Sequence, residues 1–491
     1  MGRTLLLAVV GTLLWCCSPD VPNNLDASID SGGGDGGVDP NDGARSGSRL
    51  KLTWYVFTDG TRQWSGMYDS ERKEYCSPYY SAWTDGNVYC TPEHGGSLVY
   101  TNATCTTRAM QVYVDSLCPQ PPPKYLLDYV YGACSSQPAH LYQRGAKIAV
   151  STYYYKNSNG TCGAANTAQS YDAFYALPAE IATTDLVQLT LGAPQGTGRL
   201  GVRSYESYDG MRFPWLLHDS AIDADCSPSY YSDTATTATC APYNARYAAY
   251  NHDAACVQPE LAIDKTCTVP QYAYTFPDTS CPYDQETYFA VSSQLASSPL
   301  YYSSGTTCTA TTPSASNNYY ALGQQLNAMP LARGADTDPT HRIKLVHFTD
   351  QDGLRFRDPY AVYDGQKATN CYPETLPDGT IRCIAYGGYV DTYYTSSSCA
   401  TPVDVVEVYS GPASCMAPTV PKYARKYVSP APGTCTYSTE VHAITTAHTS
   451  PVYTGVPGSC SVYTPFEAKL YNVGPIVPVT DFVGATIVAD P

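Results

Sequence analysis

The sequence predicts an all-β, disulfide-stapled protein, and three observations point there. Strand-forming residues dominate, with 46 tyrosines among 491 residues and charged residues at only 15%. Short alternating runs such as LKLTWYVF, MQVYVD and KIAVSTYYY recur between clusters of Gly, Pro, Asn and Asp, which mark turns, and no stretch carries a sustained helical apolar period with caps. The third observation is an internal period with a matching set of cysteines.

The chain opens with MGRTLLLAVVGTLLWCCSPD. Arg3 gives a positive start, and residues 4–15 form an apolar run. The run is shorter than the about 20 residues a spanning helix needs, but it suits a secretory signal. A cysteine directly after such a run resembles the lipobox of bacterial lipoproteins, in which the signal peptide is cut before a cysteine that takes a diacylglyceryl group. The resemblance implies lipidation of Cys17 and removal of residues 1–16. Cys17 follows the small Cys16, whereas Cys16 follows the bulky Trp15. Residues 17–48, rich in Gly, Asp, Ser, Asn and Pro, have almost nothing to bury and are expected to form a disordered tether. Such a tether reaches about 30 Å end to end. Its aspartates fit no calcium loop.

The body, residues 49–491, repeats three times. Segments opening at Arg49, Arg199 and Arg342 lie 150 and 143 residues apart. Each places a D-G-x-R element ten residues on: Asp59-Gly60 with Arg62, Asp209-Gly210 with Arg212, Asp352-Gly353 with Arg355. The ends agree too, since TDLVQLT at Thr184 matches TDFVGAT at Thr480. The repeats are residues 49–198, 199–341 and 342–491.

The cysteines keep the same register. Repeat 1 holds Cys76, Cys90, Cys105, Cys118, Cys134 and Cys162. Repeat 2 holds Cys226, Cys240, Cys256, Cys267, Cys281 and Cys308, and repeat 3 holds Cys371, Cys383, Cys399, Cys415, Cys435 and Cys460. An even set in an exported chain reads as a disulfide framework. No C-x-x-C pair occurs and the eight histidines do not repeat with the cysteines, so no metal is expected. No cofactor motif is present either. Parity agrees with the lipobox: if Cys17 is the anchor and Cys16 leaves with the signal, no thiol is left over. In CSPYYSAWTDGNVYC and CYPETLPDGTIRC the cysteines flank a D-G turn, as a stapled hairpin requires. That pattern favours pairing consecutive cysteines, Cys76–Cys90, Cys105–Cys118 and Cys134–Cys162 and their equivalents, among fifteen connectivities that six cysteines allow.

Within repeat 1, SLVYTNATC at Ser97 echoes STYYYKNSNGTC at Ser151. Two related halves per repeat would build a six-bladed β-propeller from three double-blade repeats, the favoured architecture. Three tandem β domains are the alternative.

The set D-G-x-R, a tyrosine–aspartate step, C-x-P, D-G…C and PKY resembles repeat-bearing secreted lipoproteins of myxobacteria, as does the Gly/Asp tether. The resemblance implies architecture and an outer-membrane or cell-surface location. It carries over no catalytic residue.

A direct search for chemistry finds no nucleophile elbow, zinc-protease motif, phosphate loop or dinucleotide fingerprint. His218 beside Asp219 has the look of a base with its orienter, but the same place holds Tyr68-Asp69 and Tyr363-Asp364, so a packed ring beside a turn aspartate is expected. The three Asp/Arg pairs of D-G-x-R are read as turn elements rather than a ring of ligand-binding charge. Tyrosine runs such as Tyr153-Tyr154-Tyr155 suit half-solvated strands, with stacking on sugars or peptides as the functional reading. A formal net charge of −16 argues against nucleic acid and against anionic membrane surfaces, leaving the N-terminal lipid as the membrane contact. The expected function is a lipid-anchored, cell-surface or periplasm-facing, non-catalytic β-repeat protein that binds or scaffolds extracellular protein or carbohydrate. The alternative is a secreted hydrolase acting on polysaccharide in a propeller channel. The oligomeric state is left open.

Overall fold

The computed structural model describes residues 42–491 apart from 80–81, 115–120, 132–133, 135, 158–159, 231–234, 277–285, 296–298, 305–306, 377, 386, 410–419, 429–437 and 466–467. Their regular secondary structure is all β apart from two short 3-10 turns, Thr183–Asp185 and Val479–Asp481. Among them no helix is long and apolar enough to cross a membrane.

Fifteen strands close into one ring. Repeat 1 contributes Leu50–Phe57, Arg62–Asp69, Glu74–Pro78, Val88–Pro92 and Gln188–Leu191. Repeat 2 contributes Leu200–Ser207, Arg212–Asp219, Ala224–Ser229, Thr237–Pro242 and Pro330–Ala335. Repeat 3 contributes Ile343–Thr349, Arg355–Asp364, Thr369–Thr375, Ile381–Ala385 and Gly484–Ala489. The fifth strand of each repeat pairs antiparallel with the first strand of the next, and Gly484–Ala489 closes the ring on Leu50–Phe57. Between its fourth and fifth strands each repeat carries an insert. The inserts form sheets of two, four and three strands in repeat 1, eight strands in repeat 2 and seven in repeat 3.

This sheet order does not divide into six like blades. Nor are the repeats separate domains, because neighbouring repeats share ladder hydrogen bonds. The echo inside repeat 1 has a different origin: its two segments lie side by side in one insert, bridged between Tyr100 and Tyr154 and joined by Cys105–Cys162.

The alternation of the first strands explains the core. Leu50, Leu52 and Trp54 are buried at every second position, and Leu200 and Ile343 repeat the first of them. Burying each such aliphatic side chain contributes about 1.5–3 kcal/mol. One cluster joins Trp54 and Trp64 of repeat 1 to Tyr205 and Phe213 of repeat 2, with Trp64 and Phe213 centroids 4.6 Å apart.

Each opening arginine holds its repeat together. Arg49 pairs with Asp69 at 2.7 Å, Arg199 with Asp219 at 2.6 Å and Arg342 with Asp364 at 2.6 Å, the aspartates being buried. Each guanidinium forks across both carboxylate oxygens. It also donates to a carbonyl just before the fifth strand, that of Asp185, Asn327 or Asp481. One residue thus ties the first, second and fifth strands.

The D-G-x-R aspartates lock repeat to repeat. Asp209 accepts from the Arg49 and Leu50 amides (2.6 and 2.7 Å), Asp352 from the Arg199 amide (3.2 Å) and Asp59 from the Ile343 amide (2.7 Å). The glycine that follows has φ of 92°, 94° or 88° at Gly60, Gly210 and Gly353, a conformation that excludes most other residues from the turn. The arginine of the element does not pair with its own aspartate: Arg62 reaches Asp490 and lies over Trp54, Arg212 reaches Gln195, and Arg355 reaches Asp336.

Two expectations are corrected here. The tether does not run to residue 48. From Asp42 the chain is held against the ring: Ala44 is buried, Arg45 bridges Arg212, and Ser46 donates to Asp490. A Cβ at Gly47 would run into the Asp209 carboxylate. Small residues that looked like solvated linker are there because the neighbouring turn leaves no room.

The second correction concerns the disulfides. The hairpin pairs Cys76–Cys90, Cys226–Cys240 and Cys371–Cys383 form as expected. The next pairs do not join consecutive cysteines. Cys105 joins Cys162, Cys256 joins Cys308 and Cys399 joins Cys460, because each early cysteine sits at positive φ in a turn laid against the insert's last hairpin. Cys134 joins Cys267 of repeat 2, so it is paired neither within its repeat nor with Cys162. Cys118, Cys281, Cys415 and Cys435 lie outside the described residues, as do Cys16 and Cys17.

Two predictions follow from this architecture. In cysteine order, Cys134–Cys267 joins the fifth cysteine of one repeat to the fourth of the next. Applied around the three repeats, the same rule expects Cys281–Cys415 and Cys435–Cys118, hence nine bonds and no free thiol in the body. Non-reducing peptide mapping checks this, and recovery of Cys118–Cys134 would refute it.

The second prediction separates the two kinds of arginine contact. Asp219→Ala, which strips Arg199 of its carboxylate, is expected to cost about 3 kcal/mol, the low end for a buried pair because the guanidinium keeps some water. Arg212→Ala, which removes a hydrogen bond to the neutral Gln195 rather than a pairing with a buried carboxylate, is expected to cost about 1 kcal/mol or less. Equal urea midpoints for the two variants would sink the assignment.

Candidate ligand-binding site

The second strands of the three repeats converge at the ring's interior. The Gln63 amide donates to the Asp358 carbonyl (2.9 Å), and Arg357 donates to the Arg62 carbonyl (3.3 Å) while lying over Trp64. Arg357 is almost fully buried and pairs with Asp42 at 2.6 Å. His347 sits between Asp42 (3.5 Å) and Asp336 (3.1 Å), and Arg355 reaches the same Asp336 (2.8 Å). This charge cluster clamps the segment at Asp42, just before the first repeat. Its charges are paired with one another and it reads as a latch, although Arg62 Nε, Gln63 Oε1, Trp64 Nε1 and His347 Nε2 are buried beside it without a hydrogen-bond partner.

The sequence-level candidate at His218 also resolves into structure. Asp219 belongs to Arg199, and the His218 ring instead contacts Asp225 at 3.1 Å.

The groove with binding geometry lies in the first insert. Its four-stranded sheet runs in the order Ser97–Tyr100, Arg108–Tyr113, Asp172–Ala176, Lys147–Ile148. Where Tyr113 faces Asp172 across the ladder, the sheet ends in a groove of about 490 Å³. Tyr113 is 70% exposed and Tyr171 45%, with ring centroids 5.2 Å apart and planes tilted by 44°. Below them a fixed polar chain runs through the groove. The Tyr155 hydroxyl donates to Gln111 Oε1 (2.9 Å), and Gln111 Nε2 donates to Asp172 Oδ1 (3.0 Å). The Gln169 amide donates to Asp172 Oδ2 (2.8 Å). Tyr153 packs on Phe174 (5.3 Å) and lines the floor, while Tyr155 meets it edge-on. The run Tyr153-Tyr154-Tyr155 therefore divides its roles: Tyr153 supports, Tyr154 pairs with Tyr100, and Tyr155 orients Gln111.

Sequence reasoning missed Tyr113, Tyr171, Gln111 and Asp172. A signal was available in the repeat alignment. The backbone bonds Thr101 to Thr107, His252 to Gln258 and Thr395 to Thr401 close equivalent cysteine turns. Six residues beyond them, Tyr113, Asp264 and Glu407 hold one place. In repeat 2 Asp264 turns back to Thr266, and in repeat 3 Glu407 is covered by Tyr393 and Tyr463, whose rings stack at 4.6 Å. Only in repeat 1 does this place carry an exposed ring.

The other inserts expose aromatic rings elsewhere. In repeat 2 Tyr247 contacts Tyr274 and Phe276 at 5.6 and 5.5 Å. In repeat 3 Tyr389 and Tyr427 stack at 5.8 Å with planes 25° apart.

The latch carries a pH prediction. Burial opposes the charge of His347, yet its pairing with Asp336 and Asp42 outweighs that and raises its pKa. Burial likewise opposes Asp42 and Asp336, but His347 and the neighbouring arginines hold both below the usual carboxylate range. Stability from His347 is complete below its unfolded pKa of about 6.5 and lost as pH rises through the raised value. Stability from the aspartates is complete above about 4 and lost as pH falls. The melting temperature is expected to peak between these limits, and His347→Gln to remove the alkaline decline. An unchanged alkaline limb in that variant would show that the latch does not titrate.

No curated protein and no solved structure matches the chain. One family model does, over residues 29–482, a span that takes in the first two repeats, the third up to its closing strand and part of the segment before them. The chain belongs to that family of unknown function, DUF7481.

Proposed function

We propose that this protein is a non-catalytic binding protein of the bacterial cell surface, anchored by a diacylglyceryl group on Cys17, whose inserts engage extracellular carbohydrate or protein. One observation carries the reading: every insert exposes paired aromatic rings on a disulfide-closed sheet. Tyr113 and Tyr171, Tyr247 and Phe276, and Tyr389 and Tyr427 are each 39–70% exposed. Amphipathic rings held this way lose little entropy on contact, so they suit binding surfaces. Three such faces on one scaffold favour a repetitive ligand, because each later contact is intramolecular. The seven described disulfides suit an oxidising, extracytoplasmic compartment.

The test uses the full chain in detergent. Intact-mass analysis is expected to find the lipid on Cys17, and Cys17→Ser to release the protein from membranes. Binding to immobilised extracellular matrix of the producing cells is expected to fall at least about tenfold when Tyr113, Tyr247 and Tyr389 are all replaced by alanine. Retention of full binding by a folded triple variant would overturn the reading.

A further inference from the structure

We infer that the groove of the first insert binds one ring of a neutral, equatorially linked polysaccharide chain. The inference rests on the binding reading above and assigns it one site and one ligand chemistry. A pyranose whose substituents are equatorial has C–H bonds on its two faces and hydroxyls around its rim. Such a ligand needs a flat apolar platform beside a row of fixed polar groups. The groove supplies both. Tyr113 offers the platform and Tyr171, tilted by 44° at 5.2 Å, the side wall.

The polar row is set before any ligand arrives. Asp172 already accepts one bond on each oxygen, from Gln111 and from the Gln169 amide. Each carboxylate oxygen keeps a further lone pair, so both can still accept from a sugar hydroxyl. Gln111 is oriented by Tyr155 on its oxygen and by Asp172 on its nitrogen, which leaves one amide hydrogen to donate. Two acceptors and a donor in fixed positions match a pair of vicinal hydroxyls, and their prior fixation lowers the cost of binding.

Charge selects against anionic ligands, and the pairing of the sheet against peptides. The groove walls hold the Asp172 carboxylate and no lysine or arginine. A uronate, sulfate or phosphate would meet a negative charge, on a chain whose net charge is −16. An extended peptide gains affinity by adding to a sheet edge. The strand carrying Gln111 and Tyr113 is already paired on both sides, by Ser97–Tyr100 and by Asp172–Ala176, so the groove offers side chains rather than free backbone. At about 490 Å³ the groove has the volume of a small-ligand site and admits a short piece of a glycan chain.

Isothermal titration of the full chain with cellohexaose and with hexa-N-acetylchitohexaose tests this, with axially linked maltohexaose as comparator. At least one of the first two is expected to bind, and maltohexaose to bind at least about tenfold more weakly. Tyr113→Ala and Asp172→Asn are each expected to lower affinity at least about tenfold, Tyr113→Phe to keep it, and Tyr389→Ala to leave it unchanged. Melting temperatures confirm that each variant is folded, and Tyr171→Ala replaces any that is not. Equal binding of maltohexaose, or unchanged affinity in folded Tyr113 and Asp172 variants, overturns the inference. If neither hexaose binds while the protein still holds extracellular matrix, the ligand chemistry is wrong and the binding reading stands. If matrix binding is also absent, both fall.

Discussion

The structure depends on a buried carboxylate meeting the first arginine of each repeat. Asp69, Asp219 and Asp364 end the second strands, where their side chains point into the core and cannot stay charged alone. Arg49, Arg199 and Arg342 neutralise them and carry the same guanidinium on to the segment entering the fifth strand. The backbone amide of each opening arginine, or of the residue after it, is in turn capped by the D-G turn of another repeat. Side chain and main chain at one place therefore serve two different closures, one within a repeat and one between repeats. Three such nodes make the ring cooperative, because loosening one node frees a strand edge in two repeats at once.

Much of this was legible in the sequence. The period, the D-G-x-R turns and the eighteen matching cysteines emerge by aligning the chain with itself, and the strand-rich composition gives the all-β class. The long-range arrangement was not legible, for a physical reason. A cysteine's partner is fixed by which hairpins pack together, and sequence spacing reports that only for neighbours such as Cys76 and Cys90. Cys105 and Cys162 are 57 residues apart and Cys134 and Cys267 are 133 apart, distances at which spacing carries no information. The all-β class holds, but the unevenly sized sheets give the expected six blades no confirmation. Two tyrosine-rich segments ending in cysteine look like duplicated blades, yet similarity also arises when two strands lie against each other and share one disulfide. The polar stretch before Arg49 misled in the opposite direction, since Gly47 has no room for a side chain beside Asp209 and Ser46 is hydrogen-bonded to Asp490 and Leu52.

Three-fold equivalence stops at the ring's interior. The places of Trp64 and Arg357 correspond across repeats 1 and 3, and the arginine needs a counter-charge that no equivalent strand provides. Asp42 supplies it from outside the repeats, with His347 adjoining. The segment preceding the repeats is therefore part of the fold, and the family match beginning at residue 29 agrees with a unit larger than the repeats alone.

The inserts follow another logic. Their hydrophobic clusters are small, as with Val99, Ala109, Tyr153 and Phe174 in the first, and a disulfide closes each insert where the core is too thin to do so. A sheet stapled in this way tolerates change on its exposed face, because its stability no longer rests on those side chains. The ring is bound to near-equivalence by its nodes, so specificity has to arise where the inserts depart from one another. The place occupied by Tyr113, Asp264 and Glu407 shows such a departure on a shared backbone. A turn cap in one repeat and a covered carboxylate in another become, in the first, a bare ring over a fixed amide and carboxylate. The same scaffold thus holds the strand geometry constant while one side chain decides whether a surface is closed or open to a ligand.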